Sequence, residues 1–361
     1  MNPAQPNRQY YPALDGLRGL AILLVLVYHN FGFINYFFFG WLGVDLFFVL
    51  SGFLITDILL KTLDKPNYLK NFYGRRLLRI FPLYYLALVI FIFIIPRLFH
   101  NFQADYYREN QLWMWTYLQN WLFIFKPAGD TTGLHHLWSL AVEEQFYLLW
   151  PLVILLLRKP ARLLLFISFV LVAVIGLRVW IWNYQVTNLA YFNLYTFSRI
   201  DGLCIGCMVA LLQRVSPGFL SRNTYIVVLF FAAANFIFYF INRRFSFSFP
   251  YLAIAGYTTF AMTFGLLVNE AVTSSTQLIN KIFNFPLLRF FGRISYGLYV
   301  FHWPVYLIMT PFLYQSISIP GNQSLSHFIC SLLATGTAVG ISILSFRFFE
   351  QPFLKLKQRF S

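Results

Sequence analysis

The first apolar run of the sequence, YPALDGLRGLAILLVLVYHNF, holds an arginine and a histidine eleven residues apart, Arg18 and His29. In a helix, eleven steps of about 100° return to within about 20° of the start while rising about 16 Å, so both side chains face one groove. An imidazole takes up and releases a proton near neutral pH, and a guanidinium is a fixed cation whose donors match phosphate or carboxylate oxygens. An imidazole so placed suits proton transfer. The alternative is that Arg18 reaches up to lipid headgroups and His29 bonds to a neighbouring carbonyl. Ionisable groups inside a bilayer cost roughly 2.5–3.5 kcal/mol each on insertion scales, so each needs a partner, a watery cavity or a chemical role.

Several other runs carry such groups. GVDLFFVLSGF places Asp45 among Gly43, Ser51 and Gly52, small residues that let helices approach; its carboxylate either orients an imidazole or forms a structural pair. HHLWSLAVEEQFYLLWP sets Ser139, Glu143 and Tyr147 on one helical face, while Glu143 and Glu144 diverge by about 100° and need not act as a dyad. In FSRIDGLCIG, Arg199 and Asp201 are two apart and point to different sides, so each calls for a partner on another helix. FGRISYGLYVFHWP aligns Ser295, Tyr299, His302 and Tyr306, with Pro304 bending the helix; His302 is either a substrate group or a satisfied interior histidine. YGRRLLRIFPLYY puts Arg76 and Arg79 on one face at i, i+3, where they either set topology or bind phosphates.

The elements that must position these groups are long apolar helices. The chain is 59% hydrophobic, 21% aromatic and only 11% charged, too little polar material to coat a water-facing surface. Continuous apolar runs exclude an outer-membrane barrel, whose strands alternate. The expected fold is all-α, a polytopic bundle of about ten crossings near 17–35, 39–60, 80–99, 137–157, 163–183, 190–212, 224–241, 250–272, 294–313 and 325–346. Residues 112–125 are too short to cross and rich in tryptophan, so they are expected to be interfacial or re-entrant, with His135 and His136 in a loop roofing an outward-facing cavity. With the N-terminus in the cytoplasm, 20 of the 27 Lys and Arg fall on that side, so both termini are expected there. The residues 1–361 read as one integral membrane domain.

The net charge of +15 is spread between apolar runs and forms no basic face, which argues against nucleic acid as a partner. Cys204, Cys207 and Cys330 all lie in apolar segments; the CxxC of the first two has no second ligand pair, so no metal is expected. Walker, HEXXH and GxSxG signatures are absent. A secondary transporter of a small polar solute would also place polar groups at mid-membrane, but no internal duplication is visible.

Taken in order, the Arg18–His29 run, GVDLFFVLSGFLI, RRLLRIFPLYYLAL, HHLWSLAVEEQFYLLWP, RIDGLCIG, FGRISYGLYVFHWP and the terminal FFEQPF resemble the acyltransferase-3 family of integral membrane acyltransferases nearly end to end. The resemblance implies transfer of an acyl group, commonly acetyl, from cytoplasmic acyl-CoA to a hydroxyl of an extracytoplasmic glycan, lipid-linked sugar or small molecule. The expected setting is the bacterial cytoplasmic membrane, with acyl-CoA as a donor substrate and no permanently bound cofactor. His29 matches the family's central catalytic histidine and Arg18 its helix partner. Asp45, Glu143 or Glu144 would orient the imidazole or hold sugar hydroxyls, Arg76 and Arg79 would hold the phosphates of CoA, and Ser139, Tyr299, His302, Arg199 and Asp201 would shape the substrate pocket. Some members carry an additional periplasmic SGNH-type domain; with about 15 residues beyond the last expected span, none is expected here.

Overall fold

The computed structural model describes residues 11–98, 104–127, 133–184, 190–220, 230, 232–235, 237, 252–273, 277–317 and 319–360. Among them the regular elements are all helical. The main helices are α1 (Pro12–Phe31), α2 (Leu42–Thr62), α3 (Tyr68–Val89, prolonged through a π turn to Leu98), α4 (Trp138–Leu157) and α5 (Pro160–Tyr184). They are followed by α6 (Asp201–Val215), α7 (Tyr257–Thr273), α8 (Pro286–Ser316) and α9 (Gln323–Leu344). Proline stands in the first turn of α1 and of α8, where its missing N–H costs nothing.

Six helical stretches among the described residues are long and apolar enough to cross a bilayer: Pro12–Phe31, Asn35–Thr62, Tyr68–Leu98, His135–Leu157, Pro160–Tyr184 and Gln323–Phe360. The all-helical membrane architecture is as expected, but the count of about ten is not confirmed. The expected span 190–212 is broken into Ala190–Asn193, Thr196–Arg199 and α6. The expected span 250–272 is a π turn, Leu252–Gly256, leading into the 17 residues of α7, and 224–241 lies largely outside the described residues. The expected span 294–313 sits inside α8, whose 31 residues are ample in length but too polar to be among the six. The reason is packing: α8 lies along α1 and α9, and the face carrying Ser295, Tyr299 and His302 is buried against protein instead of lipid.

Residues 112–125 do not form one rod. Gln111–Trp115 and Gln119–Phe125 are separate short helices, broken at Tyr117, whose φ is +56°. Carbonyls at the break are satisfied from outside: Tyr84 donates to Met114 O at 2.7 Å and Gln145 to Tyr117 O at 2.8 Å.

Small residues set how closely the helices approach. A Cβ on Gly16 or Gly19 of α1 would overlap the carbonyl oxygens of Phe283 and Leu288, and one on Gly52 of α2 would overlap Leu203 O of α6. Backbones therefore touch, and the dispersion and lipid-release effects that hold membrane helices together are greatest there. One end of the bundle gathers the basic clusters. Asp57 near the end of α2 pairs with Lys61 at 2.6 Å and with Arg214 of α6 at 3.4 Å; Arg158 after α4 pairs with Asp64 at 2.5 Å; and Phe360 covers Gly74 of α3. Gly292 of α8 abuts Asp15 of α1, bringing Arg289 and Arg293 to the same end.

Candidate active site

A cavity of about 740 Å³, open space at its mouth included, lies among α1, α2, α3, α4 and α8. Arg18, Arg76 and Arg79 line it together with Ser51, Glu143, Ser139 and Tyr299. On α2 its lining runs from Val44 to Ile55, eleven residues or roughly 16 Å along the helix. The cavity thus stretches from the half of the bundle bearing the basic clusters toward the half where His29 stands in the last turn of α1.

Each of the three arginines is held differently. Arg18 Nη1 donates to Asp15 at 3.1 Å, one turn earlier on α1. Arg76 lies 3.6 Å over the Tyr147 ring, and its Nε is 3.8 Å from Glu144, too long for a good hydrogen bond; that nitrogen and Glu144 Oε1 are buried without hydrogen-bond partners. Arg79, also lining the cavity, forms no ion pair with any described carboxylate. Three guanidiniums on one apolar-walled space, with their donors incompletely used, have the chemistry that suits an anion. Glu143 is satisfied by Ser51 Oγ at 2.9 Å and Tyr147 OH at 3.0 Å, the latter along the helical face expected from the sequence.

At the far end of the cavity, Ser139 Oγ and Tyr299 OH are 2.5 Å apart, and Tyr299 OH donates to His136 O at 2.7 Å. Immediately beyond stand three histidines. His29 Nδ1 is 3.1 Å from His302 Nε2, and the His136 ring centre is 5.1 Å from that of His302 and 6.5 Å from that of His29. His302 and His136 are buried, whereas His29 is half-buried, between Tyr28 and Trp303 at 5.0 and 5.1 Å. Pro304 explains how His136 is seated: lacking an N–H, it leaves Val300 O without its helical donor, and His136 Nε2 lies 3.3 Å from that oxygen. The sequence placed the Arg18 and His29 side chains on one groove; the structure puts Arg18 on the cavity wall and His29 in the histidine cluster just past Tyr299. His136 was not among the candidates beyond a roofing role. Its adjacency to the start of an apolar helix was the available signal, and only the packing of α4 against α8 brings it inward.

The remaining candidates lie apart from His29. Asp45 accepts from Arg199 at 2.7 Å, both side chains 2% exposed, and so forms the structural pair that was the alternative to orienting an imidazole. Arg199 also sits 3.8 Å over the Tyr257 ring. Asp201 accepts from Arg178 and from Thr258, each at 2.8 Å, and Arg178 also donates to Ser198 O. These two pairs tie α2, α5, α6 and α7 together around the broken segment 190–200. Cutting one of them leaves a buried charge unmatched, so Arg199→Ala is expected to lower stability by about 3–5 kcal/mol. Thermal unfolding in detergent checks this: the midpoint should fall steeply, and an unchanged midpoint would free Arg199 for a substrate role.

The family described as the acyltransferase domain matches residues 11–345. The chain is 33% identical to a peptidoglycan O-acetyltransferase of Listeria monocytogenes over 97% of its own length and 56% of the relative's. It is 32% identical to a Bacillus subtilis protein provisionally named for the same activity, over 96% of this chain and 55% of that one, and 30% identical to provisionally named O-acetyltransferases of Staphylococcus aureus over 96% and 58%. The chain spans a little over half the length of these relatives. No solved structure matches. The chain belongs to the acyltransferase domain family and is an integral membrane protein.

Proposed function

We propose that this protein moves an acetyl group from cytoplasmic acetyl-CoA, across the membrane, to a hydroxyl of peptidoglycan or a related extracytoplasmic glycan. The observation carrying the reading is one cavity that joins three guanidiniums, Arg18, Arg76 and Arg79, to the Ser139–Tyr299 pair beside His29. Phosphates of the donor pair with the arginines, and the acyl arm follows the apolar walls toward Tyr299. His29 takes the proton of the acceptor hydroxyl as its oxygen attacks the thioester carbonyl; the carbon–sulfur bond breaks, and the proton passes to the departing thiolate to give CoA. The acetyl group and the peptidoglycan acceptor are supported by the relatives' names, and the donor's side by the basic clusters gathered at one end of the bundle.

Two measurements test this. Everted vesicles containing the protein and supplied outside with acetyl-CoA labelled in the acetyl group should accumulate labelled ester on a glycan acceptor enclosed within; label that crosses as free acetate would mark a transporter instead. A single cysteine at Lys159, in a background lacking Cys204, Cys207 and Cys330, should react with an impermeant reagent from the cytoplasmic side alone. Reaction from outside alone would reverse the orientation and with it the donor's side.

A further inference from the structure

Of the carboxylates expected to orient His29, Asp45 is bonded to Arg199 and Glu143 to Ser51 and Tyr147, and Glu144 faces Arg76 at 3.8 Å. The group that meets the imidazole is another imidazole. His302 Nε2 lies 3.1 Å from His29 Nδ1, within hydrogen-bond range. On its other side, His302 Nδ1 lies 2.8 Å from Tyr299 O and 3.1 Å from Leu298 O, the carbonyls three and four residues back on α8. Carbonyl oxygens only accept, so His302 Nδ1 carries a hydrogen. In a neutral His302 the lone pair is then on Nε2, and the hydrogen shared with His29 must come from His29 Nδ1. The chain of donors leaves the lone pair of His29 on Nε2.

We propose that His302 is a positioning residue that holds His29 with its hydrogen on Nδ1, so that Nε2 is the atom that accepts the proton of the acceptor hydroxyl. The inference rests on His29 being the base of the transfer. In the step, the hydroxyl's proton goes to His29 Nε2 while Nδ1–H stays donated to His302; the same proton then leaves Nε2 for the thiolate of CoA, and both rings end as they began. An imidazole acceptor in place of a carboxylate also brings no negative charge to a site that must admit an anionic donor. The helix supplies the rigidity. Both carbonyls that set the His302 hydrogen belong to the turn before it, and His302 itself is fully buried, with the His136 ring 5.1 Å away closing the other side.

The chain has six histidines, few enough to assign by single substitutions in protein labelled with nitrogen-15 histidine and held in lipid nanodiscs. At a pH where the rings are neutral, the spectrum should show His29 and His302 both with hydrogen on Nδ1. A hydrogen on Nε2 of His29 in the unaltered protein would overturn the proposal, and this readout does not depend on turnover. Kinetics provide the second arm. His302→Phe should lower kcat for acetyl transfer by about a hundredfold or more with KM for acetyl-CoA within a factor of about two. His302→Gln, whose amide oxygen can accept near the position of Nε2, should restore about tenfold or more of that loss. Equal loss in both variants, with the protein folded, would reduce His302 to packing. If the phenylalanine variant does not fold, the glutamine variant and the unaltered spectrum decide. An unaltered protein with the stated hydrogen positions but no transferase activity would defeat the functional reading and leave the geometry of the pair intact.

Discussion

His29→Ala is expected to abolish acetyl transfer, with a fall in kcat of about 10²–10⁴ as for other general bases, while the protein stays folded. His29 stands near the end of α1 on the helical face begun by Arg18, is the half-buried member of a cluster whose other rings are buried, and lies next to the residues that end the cavity. Alanine suits a helix interior. The substitution removes ring packing against Tyr28, His136, His302 and Trp303 and the hydrogen bond to His302, all within one cluster, so the bundle should persist. The checks are labelled ester formed by purified protein in proteoliposomes and a monodisperse elution profile in detergent. A folded variant with near-normal turnover would remove His29 from the chemistry and leave its pairing with His302 as a structural bond.

Loss of Arg76 and Arg79 together should weaken acetyl-CoA binding by about one to several decades. Charge-assisted hydrogen bonds from guanidinium to phosphate contribute roughly 1.5–3 kcal/mol each, and acyl-CoA offers several phosphate charges. The structure sharpens the roles of the two. Arg79 forms no ion pair among the described residues, so its removal strands no carboxylate, whereas Arg76 also stacks on Tyr147 and faces Glu144, and its loss disturbs the wall as well. Arg79→Gln alone is therefore the cleaner measurement, with Lys70→Gln, an exposed cation on the same helix that does not line the cavity, as control. Because basic clusters at helix ends also bias topology, orientation is checked first and CoA affinity is then measured on correctly inserted protein. Arg18→Lys belongs to the same series: it keeps the charge but loses the planar fork, so a drop in activity points to guanidinium geometry. Unchanged CoA affinity in the double variant would assign the cluster to topology and move the donor site to Arg289 and Arg293.

The amino-acid sequence by itself determined that the chain lives in a membrane, that its elements are helices, and which few polar residues were candidates for chemistry. The cause is local: apolar runs of this length leave the backbone no solution in lipid but a helix, and charges inside them are too costly to be incidental. It also determined faces, since a fixed rise and turn per residue put Ser139, Glu143 and Tyr147 on one side of α4, where the Tyr147–Glu143 bond forms. What it did not determine is which face meets which. Asp45, Glu143 and Glu144 were all candidates to orient His29 because periodicity places a side chain on its own helix and says nothing of the neighbour; the packing of α1 on α8 instead sets His302 3.1 Å from it. Where the expected spans and the helices differ, the related reason is that hydropathy measures exposure to lipid. α8 is buried by protein and so tolerates polar residues, and the segment 190–212 breaks where the buried charges of Arg199 and Asp201 find partners on other helices. The inward turn of His136 likewise required tertiary structure, because it follows from a carbonyl freed by Pro304 on a helix more than 160 residues away.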